Sequence, residues 1–185
     1  IHGKGGADLI WGYGGFDQLF GDDGDDWLAG GAGPDILNGG SGIDTASYYS
    51  STHSVDVSLT TGLGHGGDAE GDLLSNIENL SGSAFGDLLR GNSGANSLWG
   101  NNGSDDLEGL AGNDKLYGND GDDTLVGGTG ADYLDGGAGF DFVTYYDSSA
   151  AVTVDLSTGI VSGGEAAGDT ILNIEAVGGS GFGDK

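Results

Sequence analysis

The sequence predicts an all-β fold, a solenoid of very short strands stacked coil on coil and interrupted by two longer inserts. Three observations carry this. A nonapeptide unit recurs in register, five times over residues 3–47 and seven times over 82–144. One apolar residue returns in the eighth position of every unit. The chain also superposes on itself without gaps when shifted by 97 residues, so that Tyr48-Tyr49 falls on Tyr145-Tyr146, Asp72 on Asp169 and Ile77-Glu78 on Ile174-Glu175. Self-similarity at a fixed short period marks a repeat architecture.

Each unit has two halves with different physics. GDDGDDWLA at 21–29 and GNDGDDTLV at 118–126 show the pattern. Glycine stands at positions one and four, often at two, and aspartate at six. Glycine admits positive φ, so this half can turn tightly and bring its carbonyls toward one point. The last three positions form a strand with an apolar middle. That column runs Ile10, Leu19, Leu28, Leu37, Ala46, then Leu89, Leu98, Leu107, Leu116, Leu125, Leu134 and Val143. A period of nine puts each of these on the same inward face. No three-residue strand stands alone, so stacked neighbours must supply the core.

Five segments follow: a first repeat tract at 1–47, an insert at 48–81, a second tract at 82–144, a second insert at 145–178, and the start of a third tract at 179–185. In the inserts, Val55, Val57 and Leu59 alternate with polar residues, as do Val152, Val154 and Leu156, which predicts a half-buried strand in each. Loops of Gly, Asp and Ser come next, and the apolar stretch from Leu73 to Leu80 leads into the second tract. The inserts are expected to continue or cap the solenoid as longer coils. A chain that begins at Ile1 and stops inside a motif is expected to be a piece of a larger protein.

Composition sets the central problem. Glycine accounts for 43 of 185 residues, and 30 acidic residues against 4 basic ones give a formal charge of −26. A chain of this kind would ordinarily remain disordered, because it buries too little apolar surface to offset its ordering entropy. Self-repulsion adds to the cost. Either it stays unfolded or a cation binds the acids. The same charge repels nucleic acid and anionic membrane surfaces. No apolar run is long enough for a membrane span. With no cysteine there is no disulfide and no thiolate metal site.

The pattern G-G-x-G-x-D-x-U-x resembles the RTX family, the calcium-binding repeats of secreted haemolysins, proteases and epimerases. The resemblance implies a right-handed parallel β-roll with eighteen residues per coil and calcium ions held between turn n and turn n+2. It further implies secretion by a type I channel, an extracellular or cell-surface location, and folding outside the cell. One turn would supply the carbonyls of positions two and four with its Asp, and the later turn the carbonyls of positions one and three with its own. Lys4, Gly6 and Asp8 would then face Gly21, Asp23 and Asp26. Tyr13, Gly15 and Asp17 would face Gly30, Ala32 and Asp35, and Asp22, Gly24 and Asp26 would face Gly39, Ser41 and Asp44. In the second tract the corresponding ligands are Asp87; Gly100, Asn102, Gly103 and Asp105; Gly109, Ala111, Gly112 and Asp114; Gly118, Asn119, Asp120, Gly121 and Asp123; Gly127, Thr129 and Asp132; and Gly136, Ala138 and Asp141. Oxygen donors of this type suit calcium, which takes six to eight of them, and the turns allow roughly five to eight ions. The turn at 82 has Ala84-Phe85 in the glycine place, and the turn at 91 carries Asn96 for aspartate, so the sites they begin are expected to be weak.

Other features point away from catalysis. No HExxH occurs, so no zinc protease site is present. His2, His53 and His65 are scattered and expected at the surface. Acid pairs of glycosidase type are not needed, because the aspartates already have a metal role. Pro34 follows glycine, so the Asp-Pro bond of self-cleaving modules is missing. Trp11, Phe20, Trp27, Trp99, Tyr117 and Tyr133 flank the apolar column and are expected to pack under the inserts or a neighbouring domain. The other reading of these rings is a platform for a sugar or a partner. The leading expectation is thus a structural, calcium-responsive module. The alternatives are an adhesin or polysaccharide-binding repeat and the accessory module of a secreted enzyme.

Overall fold

A computed structural model describes residues 1–185. It contains strands, two three-residue 3-10 turns at Gly67–Ala69 and Gly164–Ala166, and no α-helix. Hence no helix is long and apolar enough to cross a membrane. The strands that follow alternate turns lie in opposite sheets. One sheet has 8 strands, all parallel; the other has 11, parallel except around Leu63–His65.

The register gives the coil length. Ile10 pairs with Leu28, and Leu28 with Ala46, in the 8-stranded sheet. In the other sheet Leu19 pairs with Leu37, and Leu89 pairs with Leu107. Every such step is eighteen residues, two nonapeptides. The chain is a parallel β-roll.

Short strands form here because the glycine-rich turn resets the chain after every third strand residue. The middle residue of each strand points between the sheets. All twelve residues of the predicted apolar column are buried, eleven of them at 0% exposure and Ile10 at 6%. They form one continuous cluster with Leu80, Leu74 and the insert residues Val55, Val57, Ile77 and Val152. Each sheet contributes one inward column, so the core is only two facing side chains wide.

The inserts keep the stack continuous by lengthening a coil. Leu37 pairs with Leu74 and Ala46 with Leu80, steps of 37 and 34 residues instead of eighteen. The strand Asp56–Ser58 joins the 11-stranded sheet, with Leu88–Arg90 on one side and the antiparallel strand Leu63–His65 on the other. The second insert differs at this point. Its strand Thr153–Asp155 pairs only with Ile160–Ser162, and Leu156 is 42% exposed where alternation predicts a half-buried residue. The 97-residue shift places Lys185 on Leu88, and Lys185 exchanges backbone hydrogen bonds with Val152 and Val154.

The aromatic residues do not pack under the inserts in the main. They stack on one another along the outer face of the 8-stranded sheet: Trp27 on Trp99 at 6.2 Å, Trp99 on Tyr117 at 5.9 Å, and Tyr117 on Tyr133 at 5.6 Å between ring centres. Trp99 and Tyr117 are register partners on adjacent parallel strands, whose spacing of about 4.8 Å brings their rings face to face; the other two pairs are tilted and join non-equivalent positions. Trp11 remains 48% exposed. One insert residue, Tyr49, joins Trp11, Trp27 and Trp99 around a groove of about 370 Å³.

The register makes a direct test possible. Leu116 is fully buried and its neighbour Lys115 is exposed. Leu116→Asp buries an unpaired carboxylate at a cost of several kcal/mol, and the β signal in circular dichroism should be lost or strongly reduced. Lys115→Asp should fold nearly as the parent chain does, with little cost beyond added repulsion. The reverse ranking would mean that the strand faces are inverted.

Candidate metal centre

The turns stack as the strands do, in two columns along opposite edges of the roll. In each column the aspartate at position six accepts a hydrogen bond from the backbone N–H of the aspartate one coil earlier. Asp8 N–H donates to Asp26 Oδ1 at 2.8 Å, and Asp26 N–H to Asp44 Oδ1 at 2.8 Å. Asp17 donates to Asp35, Asp105 to Asp123, and Asp114 to Asp132 in the same way, at 2.8, 2.8 and 2.9 Å. The result is a ladder of carboxylates one strand spacing apart.

Only one oxygen of each is used. Oδ2 of Asp8, Asp26, Asp35, Asp44, Asp105, Asp114, Asp123, Asp132 and Asp141 is buried with no hydrogen-bond partner. Eight of these residues, from Asp26 to Asp141, are at 2% exposure or less, and a buried polar atom of this kind ordinarily has a partner. An oxygen so placed in every regular turn except that of Asp17 is a donor of the kind a hard cation takes.

The direction of these oxygens follows from what glycine permits. A side chain on Gly21 would collide with Asp26 Oδ2 of its own turn and with the carbonyl of Gly39 one coil later. At Gly12, an added Cβ would lie 2.8 Å from Asp17 Oδ2 and 2.5 Å from the Gly30 carbonyl oxygen. The carboxylate and the position-one carbonyl of the next coil therefore converge beside position one. The carbonyls of positions two and four point the other way, from each turn toward the next coil. The Tyr13 carbonyl lies against Gly31 and the Gly15 carbonyl against Gly33. Ala32, at position three, pairs with Gly14.

Position two takes the left-handed conformation even where it is not glycine: Lys4 has φ 83°, Tyr13 75°, Asp22 71°, Leu110 78° and Asn119 75°. Such residues cost roughly 1–2 kcal/mol each for most side chains, a strain that the stacked turn must hold. The two irregular turns differ. Neither Ser83 nor Asn92 has positive φ, and neither does Phe85 or Gly94 at position four. Asp87 is instead satisfied by its own chain. Its Oδ2 accepts from Ser83 N–H, and its Oδ1 from the Ser83 hydroxyl at 2.9 Å and Val55 N–H at 2.8 Å. The amide of Asn96 accepts from Asn92 N–H and donates to the Glu78 carbonyl.

Not every acid in the repeats aims inward. The side chain of Asp22 meets His2 at 3.0 Å, and those of Asp23 and Asp120 are exposed, so these three can offer only backbone carbonyls. No group of three or more His, Cys, Asp or Glu side chains converges on one point. An ion held here must take most of its oxygens from the main chain, which fits calcium and excludes a soft-metal site. The three histidines are exposed. A second ladder was not anticipated: Asp25 Oδ1 accepts from Ile43 N–H and Asp122 Oδ1 from Phe140 N–H, both at 2.8 Å.

The ladder also runs through the inserts, where the nonapeptide pattern offers no guide. Asp35 N–H donates to Asp72 Oδ1 at 2.7 Å, and Asp44 N–H to Glu78 Oε2 at 2.8 Å. The second insert repeats both bonds with Asp169 and Glu175 at 2.9 Å. Among the sequence signals, only the 97-residue period singles these acids out.

Electrostatics agree with the geometry. Burial, only partly offset by the backbone hydrogen bond, pushes Asp105 and Asp72 up to about 7, and Asp114 and Asp123 up to about 6. Burial likewise raises Asp35, Asp44, Asp132 and Asp141. The metal-free folded chain thus binds more protons than the unfolded chain at pH between about 4 and 7. The stability it gains from these protons is complete below the unfolded value near 4 and is lost as pH rises through 6 to 7. In chelator, β signal in circular dichroism should therefore increase as pH is lowered from 7.5 to 4.5. Over the same window the calcium needed for half-saturation should rise, since protons and calcium compete for one set of oxygens. A calcium midpoint independent of pH would contradict the burial of these carboxylates.

Comparison with known families agrees with the geometry. The model of the RTX calcium-binding nonapeptide repeat matches four times, at residues 1–26, 11–46, 81–116 and 108–143. No curated protein is similar enough to match the chain. The matches cover both tracts, which are more than half of the sequence, and the chain belongs to the RTX family of calcium-binding repeats.

Proposed function

We propose that the chain is a calcium-responsive structural module of a larger secreted protein, whose folding and metal binding are one event. The observation that carries this reading is the row of nine buried aspartate oxygens without a partner. In a cytosol poor in free calcium these carboxylates would have to be buried charged, and the chain stays open enough to pass a type I channel. Outside, extracellular calcium modules bind at about 10⁻⁴–10⁻³ M, and the ion supplies what each carboxylate lacks. About eight divalent ions would bring the formal charge of −26 to about −10. The regular turns supply the ligands: Asp8 with Asp26, Asp17 with Asp35, Asp26 with Asp44, and then Asp105 with Asp123, Asp114 with Asp132, and Asp123 with Asp141. Turns 82–87 and 91–96 act as spacers between the two tracts.

A second reading, a polysaccharide-binding repeat at the cell surface, is favoured by the groove that Trp11, Trp27, Tyr49 and Trp99 line. Titration of calcium-loaded protein with oligosaccharides, read by tryptophan fluorescence, separates the two. No response to any sugar leaves the structural role alone.

Circular dichroism in chelator at neutral pH should show a disordered chain, and millimolar calcium should restore β signal. Magnesium should substitute poorly, because it demands rigid octahedral geometry and keeps its waters. A full β spectrum in excess chelator would sink the coupling of folding to metal.

Single aspartates should differ in weight. Asp26→Ala removes a rung bonded to Asp8 on one side and Asp44 on the other, and should raise the calcium midpoint several-fold. Asp87→Ala alters a carboxylate already satisfied by Ser83 and Val55, and should move the midpoint much less. Equal shifts would show that the two kinds of turn do the same work.

A further inference from the structure

The acid ladder leaves the nonapeptide pattern at the end of each tract, and the last regular turn still carries an orphaned oxygen. Asp44 is fully buried, and its Oδ2 has no hydrogen-bond partner. In the regular turns that begin at Gly3, Gly21, Gly100, Gly109 and Gly118 this oxygen converges with a carbonyl from the turn one coil later. No nonapeptide turn follows Asp44 in its column. The segment that arrives there is Asn76–Glu78, from the first insert.

Its atoms take the same places. A side chain on Gly39 would collide with Asp44 Oδ2 and with the Asn76 carbonyl, just as one on Gly21 would collide with Asp26 Oδ2 and the Gly39 carbonyl. Asp44 N–H donates to Glu78 Oε2 at 2.8 Å, as Asp26 N–H donates to Asp44 Oδ1 at 2.8 Å. Asn76 is left-handed, with φ 49°. A glutamate serves where aspartate serves elsewhere because the segment is shorter. Glu78 stands two residues after the carbonyl at Asn76, whereas Asp44 stands five after Gly39. The longer side chain covers the missing reach.

The second insert reproduces every feature. A side chain on Gly136 would meet the Asn173 carbonyl and Asp141, Asp141 N–H donates to Glu175 Oε2 at 2.9 Å, and Asn173 has φ 52°. Asp141 too is fully buried, with an orphaned Oδ2.

We propose that each insert closes its tract with one more calcium site, made by turn Gly39–Asp44 with Asn76 and Glu78, and by turn Gly136–Asp141 with Asn173 and Glu175. The proposal rests on the reading of the repeats as calcium sites and extends it beyond the nonapeptides. Two carboxylates, the Asn carbonyl and the carbonyls at turn positions two and four (Gly40 and Gly42 in the first site) provide about five oxygens, and water completes the six to eight that calcium takes. The neighbouring end of the tract is built differently. Asp72 also continues a ladder, but its Oδ2 accepts from the Tyr48 hydroxyl at 3.1 Å, and only the side chain of Asp35 approaches Gly30. There a hydroxyl, not a carbonyl, meets the insert carboxylate, and no site is inferred.

The test is a count of bound ions. Calcium per chain is measured by equilibrium dialysis and atomic emission on the whole 185-residue chain, with circular dichroism to follow folding. The double variant Glu78→Gln/Glu175→Gln keeps the acceptor for the backbone N–H and should bind about two fewer ions with its β spectrum retained. Glu70→Gln, an exposed acid of the first insert, should bind as many ions as the parent. An unchanged count in the double variant overturns the proposal while leaving the repeat sites standing. Absence of calcium binding by the parent chain overturns the reading beneath it as well. If the double variant does not fold, Glu175→Gln alone must lose one ion, and an unchanged count there overturns the proposal equally.

Discussion

A carboxylate buried between stacked turns, with one oxygen bonded and the other bare, governs this molecule. Its energetics decide whether the roll exists. For Asp105, a rise to about 7 from the ordinary 3.8 means about 4 kcal/mol against the charged form at equilibrium, after its backbone hydrogen bond is counted. That figure already includes repulsion from Asp123 and Asp87, the rungs one strand spacing away. One leucine column in each sheet yields about 1.5–3 kcal/mol per buried side chain, and most of that goes to offset chain entropy. An unneutralised carboxylate of this kind thus costs at least as much as a buried leucine contributes, and a cation beside it would reverse the sign.

The remaining features follow from that arrangement. Glycine at position one leaves room for the aspartate oxygen and the carbonyl from the next coil to meet, as the collision at Gly21 shows. Left-handed backbone at positions two and four turns the carbonyls toward the next coil, and the chain accepts this strain even at Tyr13 and Leu110. Where the ion is not served, the strain disappears. The turns that begin at Gly82 and Gly91 relax to negative φ at position two and satisfy Asp87 and Asn96 with local hydrogen bonds. The stack thus alternates tracts that bury orphaned carboxylate oxygens with self-satisfied coils, in a module that repeats every 97 residues.

Most of the fold was legible in the sequence because its signal is periodic. One leucine every nine residues specifies strand, face and neighbour together, and from Leu19 to Val143 every member of that column is buried. The aspartates were legible for the same reason. What escaped lies where the spacing changes. Asp72 and Glu78 enter the ladder after steps of 37 and 34 residues, which no period of nine or eighteen could reveal. The aromatic residues show a related effect. Trp99, Tyr117 and Tyr133 look like residues awaiting a cover, but Trp99 and Tyr117 stack in register on adjacent strands and Tyr133 packs tilted against Tyr117. Leu156 is more exposed than its counterpart Leu59 because its strand, Thr153–Asp155, pairs with Ile160–Ser162 in a separate sheet, a matter of context and not of local pattern.

The account stands or falls on where cations sit. Crystals grown in calcium, with anomalous scattering recorded to locate the ions, would test it most directly. The account predicts ions beside the orphaned oxygens, between Asp8 and Asp26, Asp26 and Asp44, Asp105 and Asp123, Asp114 and Asp132, and Asp123 and Asp141, with none on Asp87 Oδ2, which Ser83 N–H already fills. Ions found instead on the exposed acids, such as Asp23 and Asp120, with the buried oxygens left bare, would contradict it.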